Sequence, residues 1–141
     1  MGYSYCSALA AKLIAPERTV VAVCGDGDFL MNGQEIATAV QHGAAFVALV
    51  VNNGIYGSIR MHQERHYPGR VIGTALHNPD FAAYARAFGA HGETVVHTEE
   101  FASAYERAIA SKKPALIELR IDPEAITPSM TLSGISGSQK E

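Results

Sequence analysis

This sequence has few cysteines, no long apolar run and no excess of basic residues, and each of these features excludes a class of protein. Its 141 residues include two cysteines, Cys6 and Cys24, which do not suggest a disulfide framework. We therefore expect a reducing, cytoplasmic setting. No apolar run approaches the roughly 20 residues of a membrane span, and no signal segment is recognisable at the start. The net charge of −3 predicts no general attraction to nucleic acid or to an anionic membrane.

Short β-branched runs alternate with helix-like segments along the chain. Two runs, 19–24 and 45–51, are apolar throughout, which is typical of strands buried on both faces of a parallel sheet. We predict strands over 19–24, 45–51, 94–97 and 115–121, and helices over 4–14, 32–42, 56–65, 81–88 and 98–111. This order predicts an α/β fold with a mainly parallel sheet flanked by helices. We expect residues 1–121 to form one domain, incomplete at its amino-terminal side, and the polar residues 122–141 to form a tail or docking arm.

Polar residues at the expected helix starts predict specific caps. Asn32 with Glu35 three residues on has the spacing of a capping box, and Thr98 is placed to cap the last predicted helix. Glu35 is therefore assigned a structural role. Cys24, at the end of an apolar run, is interpreted as a small buried hydrophobe.

Two short polar motifs follow the first two predicted strands. Gly25-Asp26-Gly27 ends one strand and Asn52-Asn53 ends the next, with residues 28–51 between them, enough for one helix and one strand. A right-handed crossover of this kind makes the strands parallel and brings their carboxyl ends to one edge of the sheet, where open α/β sheets bind ligands. We therefore expect Asp26 and Asn53 to converge on one point.

The chemistry of these two side chains favours a hard cation. A carboxylate, an amide oxygen, a backbone carbonyl and phosphate oxygens are the usual ligands of protein-bound Mg²⁺. Gly25 and Gly27 allow the backbone to approach an anion closely. Each motif alone is most often an ordinary turn. At strand ends and at this spacing, the pair predicts a diphosphate bridged to the protein by a divalent ion.

The same pair resembles the thiamine diphosphate motif, in which Gly-Asp-Gly is followed, one helix and one strand later, by Asn-Asn. GDGDFLMNGQEIATAV, residues 25–40, is similar to the corresponding stretch of acetolactate synthase and its relatives. Met1-Gly2-Tyr3 and the Ala-rich segment after it look like the start of the cofactor domain helix in that family. The resemblance covers residues 1–121 and implies a thiamine diphosphate-binding fold with thiamine diphosphate and Mg²⁺ as cofactors.

The resemblance also implies a role for individual residues. Asp26, Asn53 and the backbone carbonyl of Ile55 would ligate Mg²⁺, and the residues on either side of Asp26 would line the diphosphate through backbone groups. Asn52 would brace the turn. The implied cofactor-binding residues are Gly2, Gly25, Asp26, Gly27, Asp28, Asn53, Ile55 and Tyr56.

The activity implied is decarboxylation or carboligation of a small 2-oxo acid, with the cofactor as electron sink. In this family a glutamate of a pyrimidine-binding domain, usually on the partner subunit, activates the cofactor, and no residue of this chain can be assigned that role. Tyr56 and His62 are weak catalytic candidates. We expect the isolated chain to be inactive. We also expect it to form homo-oligomers through an apolar face exposed where the partner domain docks.

Two residues differ from those of known family members, so the sequence does not identify the substrate. Ile59 stands where pyruvate decarboxylases have an acidic residue, and His62 stands where acetolactate synthases have tryptophan, so the substrate pocket matches neither type. Arg60 is either a substrate carboxylate partner or a solvated side chain. Alternatives to an enzyme part are a cofactor-binding module, such as half of a split enzyme, and an unrelated nucleotide-binding α/β domain. The last is disfavoured because the sequence has neither a P-loop nor GxGxxG.

Overall fold

The computed structural model describes residues 1–127 and 129–137. The helices are α1 (Tyr3–Ile14), α2 (Asp26–Asn32), α3 (Ile36–Gln41), α4 (Gly57–His66), α5 (Phe81–Ala87), α6 (Phe101–Ala110) and α7 (Leu132–Gly137). The strands are β1 (Val21–Gly25), β2 (Val47–Asn52), β3 (His91–Val95), β4 (Ala115–Arg120), β5 (Ala125–Thr127) and β6 (Met130–Thr131). Short 3₁₀ turns precede α3 and α6. Within this part of the chain, no helix is long and apolar enough to cross a membrane.

The first four strands form one parallel sheet in the order β1-β2-β4-β3. The predicted α/β fold with a mainly parallel sheet is confirmed. Gly25 is in register with Val51, and Asn52 is in register with Arg120. The carboxyl ends of β1, β2 and β4 therefore meet at one edge of the sheet, and the residues that follow them are close in space.

Helices cover both faces of this sheet, which explains why its central strands, β2 and β4, are mostly apolar. On one face α1, α2 and α5 surround Phe29, which is 1% exposed and packs edge-on against the rings of Tyr5 and Phe81 at centroid distances of 5.5 and 5.6 Å. On the other face α6 packs through Ala104 against Ile117 and its neighbours. The two cores hold the sheet edge in a fixed position.

Cys24 lies inside the first core, as expected of a small hydrophobe. Burial raises the pKa of its thiol to about 12, and the negative charge of Asp28 adds to the shift. The thiol therefore stays protonated and unreactive near neutral pH. Cys6 and Cys24 are both free, in agreement with the prediction that no disulfide framework is present.

The predicted capping box of Asn32 and Glu35 is wrong. The helix begins at Asp26, directly after the extended Gly25, so Asn32 ends α2 instead of starting a helix. Its amide donates to the Gly2 carbonyl at 2.6 Å, and the Glu35 carboxylate accepts from the Thr38 hydroxyl at 2.7 Å. Asn32 does precede the 3₁₀ turn Gly33–Glu35, with a non-helical φ of −137°, but its side chain makes no capping hydrogen bond there.

The elements around the third strand also differ from their predicted bounds. β3 begins at His91, three residues earlier than predicted, because Gly89 ends the preceding helix and the chain enters the sheet at once. Thr98 does not cap the last large helix. The Glu100 carboxylate accepts from the backbone N–H groups of Val96 and His97, both at 3.0 Å, and completes a capping box.

Residues 121–127 fold back over the carboxyl edge of the sheet. β5 and β6 form an antiparallel pair, and α7 packs against α4 with Leu132 and Ile135 buried. Pro128 and residues 138–141 of the predicted tail lie outside the described residues. The division of the chain at residue 121 stays a prediction.

Candidate functional site

One cavity lies at the carboxyl edge of the sheet, where the two sequence motifs meet. It has a volume of about 480 Å³. Asp26 begins α2 immediately after β1, and Asn53 follows β2, so the parallel pairing of these strands places both side chains on the same cavity wall. The cavity is lined by Gly25, Asp26, Val51, Asn53, Ile55, Gly57, Ser58, Met61, Ile121, Ala125, Ile126 and Thr127.

Asp26 is the buried charge of this site, with 3% of its surface exposed. One carboxylate oxygen accepts from the Gly27 N–H at 2.9 Å. The other accepts from the Gly54 N–H at 2.9 Å and from the Asn78 amide at 2.7 Å. A buried carboxylate is stable only when its oxygens are paired, and these three donors meet that requirement. They also fix the orientation of the carboxylate plane.

Asn53 and Ile55 lie in the tight turn that follows β2. The Asn53 side-chain oxygen accepts from the Ile55 N–H at 3.2 Å, and Gly54 has the positive φ of 70° that such a turn needs. Ile55 pairs with Ala75 in an isolated antiparallel bridge, whose hydrogen bonds are made by the residues on either side of Ile55. The Ile55 carbonyl oxygen takes part in neither bond.

The two glycines of Gly-Asp-Gly have different surroundings. A Cβ at Gly25 would find no atom within 4 Å, so its backbone faces open space in the cavity. A Cβ at Gly27 would lie 2.3 Å from the ring of Tyr56, so this glycine is the contact surface for an aromatic side chain. Gly25 is thus the one whose backbone is open to a ligand.

Gly2 and Asp28 lie together but not in the cavity lining. The Asp28 carboxylate accepts from the backbone N–H of Gly2 and, at 2.8 Å, from the Ser4 hydroxyl. It therefore pairs with the N–H and hydroxyl groups at the start of α1, where negative charge is favoured. Their expected contact with a diphosphate stays a prediction.

The weak catalytic candidates are also outside the cavity lining. Tyr56 packs on Gly27, whereas His62 is an exposed residue of α4 whose ring lies 6.1 Å from that of His66. Arg60, the possible substrate carboxylate partner, is paired with the buried carboxylate of Glu64 through contacts of 2.9 and 3.0 Å. Its charge is satisfied within α4.

Three polar residues, Asn52, Asn78 and Glu118, support the site from behind, and the sequence assigned a role only to Asn52, which accepts from the Gly54 N–H in the turn it was expected to brace. The Asn78 amide nitrogen donates to Asp26 and to the Asn52 side-chain oxygen, and the Asn52 amide nitrogen donates to Glu118. An acidic residue inside the apolar run 115–121 is an available signal for Glu118, because strand interiors seldom hold an unpaired charge. Asn78 carries only the signal of an Asn-Pro turn.

The family match identifies the domain. The chain matches the family described as thiamine pyrophosphate enzyme, C-terminal TPP binding domain, over residues 1–119. This chain belongs to that family. Its sequence is 40% identical over 121 residues to a probable acetolactate synthase of Mycobacterium bovis, an alignment that covers 86% of this chain and 22% of that protein.

Other relatives of this thiamine pyrophosphate-binding domain give the same result. The acetolactate synthase large subunit of Haemophilus influenzae is 35% identical, with 95% of this chain and 24% of that one covered. A solved structure, the thiamine diphosphate-dependent 4-hydroxybenzoylformate decarboxylase of Rhodococcus jostii, superposes with a TM-score of 0.81 at 30% identity over 86% of this chain and 23% of that one. The chain thus spans less than a quarter of the length of these relatives.

Proposed function

We propose that this domain binds thiamine diphosphate through a Mg²⁺ ion held by Asp26, Asn53 and the carbonyl of Ile55. We further propose that the complete enzyme decarboxylates or carboligates a 2-oxo acid. The observation that carries the proposal is that Asp26, Asn53 and Ile55 line one cavity at the carboxyl edge of a parallel sheet.

The residues present fit such a group. A carboxylate, a side-chain amide and a backbone carbonyl are hard oxygen ligands, and two or three of them plus phosphate oxygens satisfy Mg²⁺. The open space at Gly25 gives an anion access to the backbone. In addition, the Asn78 side-chain oxygen is buried and has no hydrogen-bond partner among residues 1–127 and 129–137. Asn78 is not among the residues that line the cavity, so this atom belongs to the polar support behind the site.

This chain contributes binding and orientation. When bound, thiamine diphosphate supplies the electron sink that makes loss of CO₂ from a 2-oxo acid feasible. Asp26 would supply the charge that anchors the cation, and the turn at 53–55 would supply the two neutral oxygen ligands. The apolar side chains of Val51, Met61 and Ile126 line the same cavity and lower the polarity around this anchor, which strengthens its electrostatic interactions.

An apolar surface around β1 fits the docking of a partner domain and a second subunit. β1 is an edge strand, and its Val23 is 62% exposed. On the adjoining α1, Tyr3 and Ile14 are 78% and 84% exposed. Exposed apolar residues in such numbers mark an interaction surface. We propose that a pyrimidine-binding domain, which supplies the catalytic glutamate, packs here within a homo-oligomer.

Calorimetric titration of the 141-residue chain with thiamine diphosphate tests the proposed site. We expect saturable one-site binding in the presence of Mg²⁺ and a large loss of affinity when the metal is removed with EDTA, because the cation links phosphate to protein. ADP, which has a diphosphate but no thiamine, serves as the control and should bind much more weakly. Equal binding with and without metal would contradict the metal bridge, and preferential binding of ADP would favour a nucleotide domain.

The isolated chain is expected to release no CO₂ from pyruvate even with both cofactors present. The reason is that no residue of this chain can be assigned the role of the activating glutamate. Addition of a separately expressed pyrimidine-binding domain from an acetolactate synthase relative should restore turnover if the chain is half of a working enzyme. Binding without restored turnover would indicate a cofactor-binding module, and turnover by the chain alone would refute the expectation.

A further inference from the structure

Glu118 is a buried carboxylate in the middle of an apolar strand, and the fold alone does not account for it. It lies on β4 in register with Val50 and Thr94, and 1% of its surface is exposed. Burial of a carboxylate is costly even when it is paired, and an apolar residue of similar size is often tolerated better at such a position. This free-energy cost of burial indicates that the hydrogen bonds of Glu118 serve a function other than stabilising the fold.

Those hydrogen bonds lead directly to the cofactor cavity. One oxygen of Glu118 accepts from the Asn52 amide at 2.7 Å and from Arg120 at 3.3 Å, and the other accepts from the Thr94 hydroxyl at 2.9 Å. Asn52 in turn accepts from the Asn78 amide at 2.8 Å, and the same Asn78 nitrogen donates to Asp26 at 2.7 Å. An unbroken chain of side chains therefore joins β4 to Asp26.

The direction of these bonds gives Glu118 a specific effect. A carboxylate accepts, so it holds the NH₂ end of the Asn52 amide toward β4 and leaves the oxygen to face Gly54 and Asn78. That oxygen receives hydrogens from Asn78 and from the Gly54 N–H, the latter at 3.1 Å. If the Asn52 amide turned over, its NH₂ group would face two donors, and Asn78 would lose its fixed orientation toward Asp26.

From this arrangement, and on the basis of the proposed function above, we propose that Glu118 is a positioning residue for the Mg²⁺–thiamine diphosphate site. It acts through Asn52 and Asn78 to fix the Asp26 carboxylate. It touches neither the cofactor nor the substrate. Groups behind a metal ligand commonly change metal affinity by about 10- to 100-fold when removed.

Glu118→Leu tests the proposal, with affinity for thiamine diphosphate at fixed Mg²⁺ measured by calorimetry. We expect affinity to fall about tenfold, the lower end of the range for groups behind a metal ligand. Glu118→Gln should restore it, because its oxygen can accept from Asn52 while its NH₂ donates to the Thr94 hydroxyl. Thr94→Val is the matched control, since it removes a bond of the same carboxylate on the side away from the cavity. It should lower unfolding stability and leave affinity unchanged.

A double-mutant cycle separates positioning from general destabilisation. In an Asn78→Ala background, Glu118→Leu should cause almost no further loss of affinity, because the path to Asp26 is already cut. Should Glu118→Leu fail to fold, Asn52→Ala cuts the same path at the strand end and is expected to lower affinity to a similar degree. Two results would overturn the positioning role and leave the proposed function intact. One is that the wild-type chain binds and Glu118→Leu or Asn52→Ala binds with the same affinity. The other is that Thr94→Val loses as much affinity as Glu118→Leu. Absence of binding by the wild-type chain would refute both.

Discussion

Asp26→Ala is expected to abolish Mg²⁺-dependent binding of thiamine diphosphate, with a loss of affinity of at least about 100-fold, equivalent to roughly 2.8 kcal/mol. Among residues 1–127 and 129–137, Asp26 is the one carboxylate in the cavity lining, which it shares with Asn53 and Ile55 of the turn at 53–55. Without its charge, a divalent cation would be held by dipoles alone, which compete poorly with water for Mg²⁺. Calorimetry with and without EDTA measures the effect.

A control must separate this loss from damage to the fold, because Asp26 also accepts three hydrogen bonds. Asp80→Asn removes one negative charge from the start of α5, where Asp80 accepts from the Ala83 N–H at 2.8 Å. Asparagine caps a helix equally well, so stability and cofactor affinity should both be retained. If Asp26→Ala kept a cooperative unfolding transition and wild-type affinity, Asp26 would have to be removed from the proposed metal site.

The position of Asp26 and Asn53 at one edge of the sheet could be predicted from the sequence because it depends on local pattern and on chain topology. Two apolar runs gave the strands, the intervening length allowed one helix, and the right-handed crossover rule made the strands parallel. No contact between residues distant in sequence had to be known.

The support behind the site could not be predicted in the same way. Asn78 reaches Asp26 from a loop 52 residues away in sequence, and Glu118 reaches Asn52 across 66 residues. Such contacts depend on how an irregular segment packs, and no periodicity in the sequence describes that. The predicted Asn32 capping box was wrong for a related reason. Its local spacing was correct, but α2 begins at Asp26 and the Asn32 side chain bonds to Gly2, which is 30 residues away in sequence.

The sequence also did not predict that residues 125–127 form part of the cavity wall, because they lie in a segment of polar composition. Ile126 and Thr127 line the cavity, while Leu132 and Ile135 are buried nearby. Two buried apolar side chains among many polar residues give too weak a pattern to distinguish a packed arm from a tail.

The largest effect on stability is expected from Gly92→Ala. Gly92 lies on β3 where α5 crosses the sheet, and a Cβ there would lie 2.3 Å from the Ala82 carbonyl oxygen and 3.0 Å from its carbon. The atoms in the way belong to the backbone of a helix, so no side chain can rotate to make room. We expect a loss of about 3 kcal/mol or more in the free energy of unfolding, at the upper end of overpacking effects.

Two further variants identify the cause of that loss in urea unfolding. Gly43→Ala adds the same methyl group at a φ of 61° with no atom within 4 Å, so it should cost only the backbone strain of about 1 to 2 kcal/mol. Ala82→Gly combined with Gly92→Ala should not restore stability, because the obstructing oxygen remains. Recovery in that double variant would show that side-chain volume, and not the close approach of the α5 backbone, requires glycine at position 92. Since α5 begins just after Asn78, its displacement should also weaken cofactor binding in proportion to the structural shift.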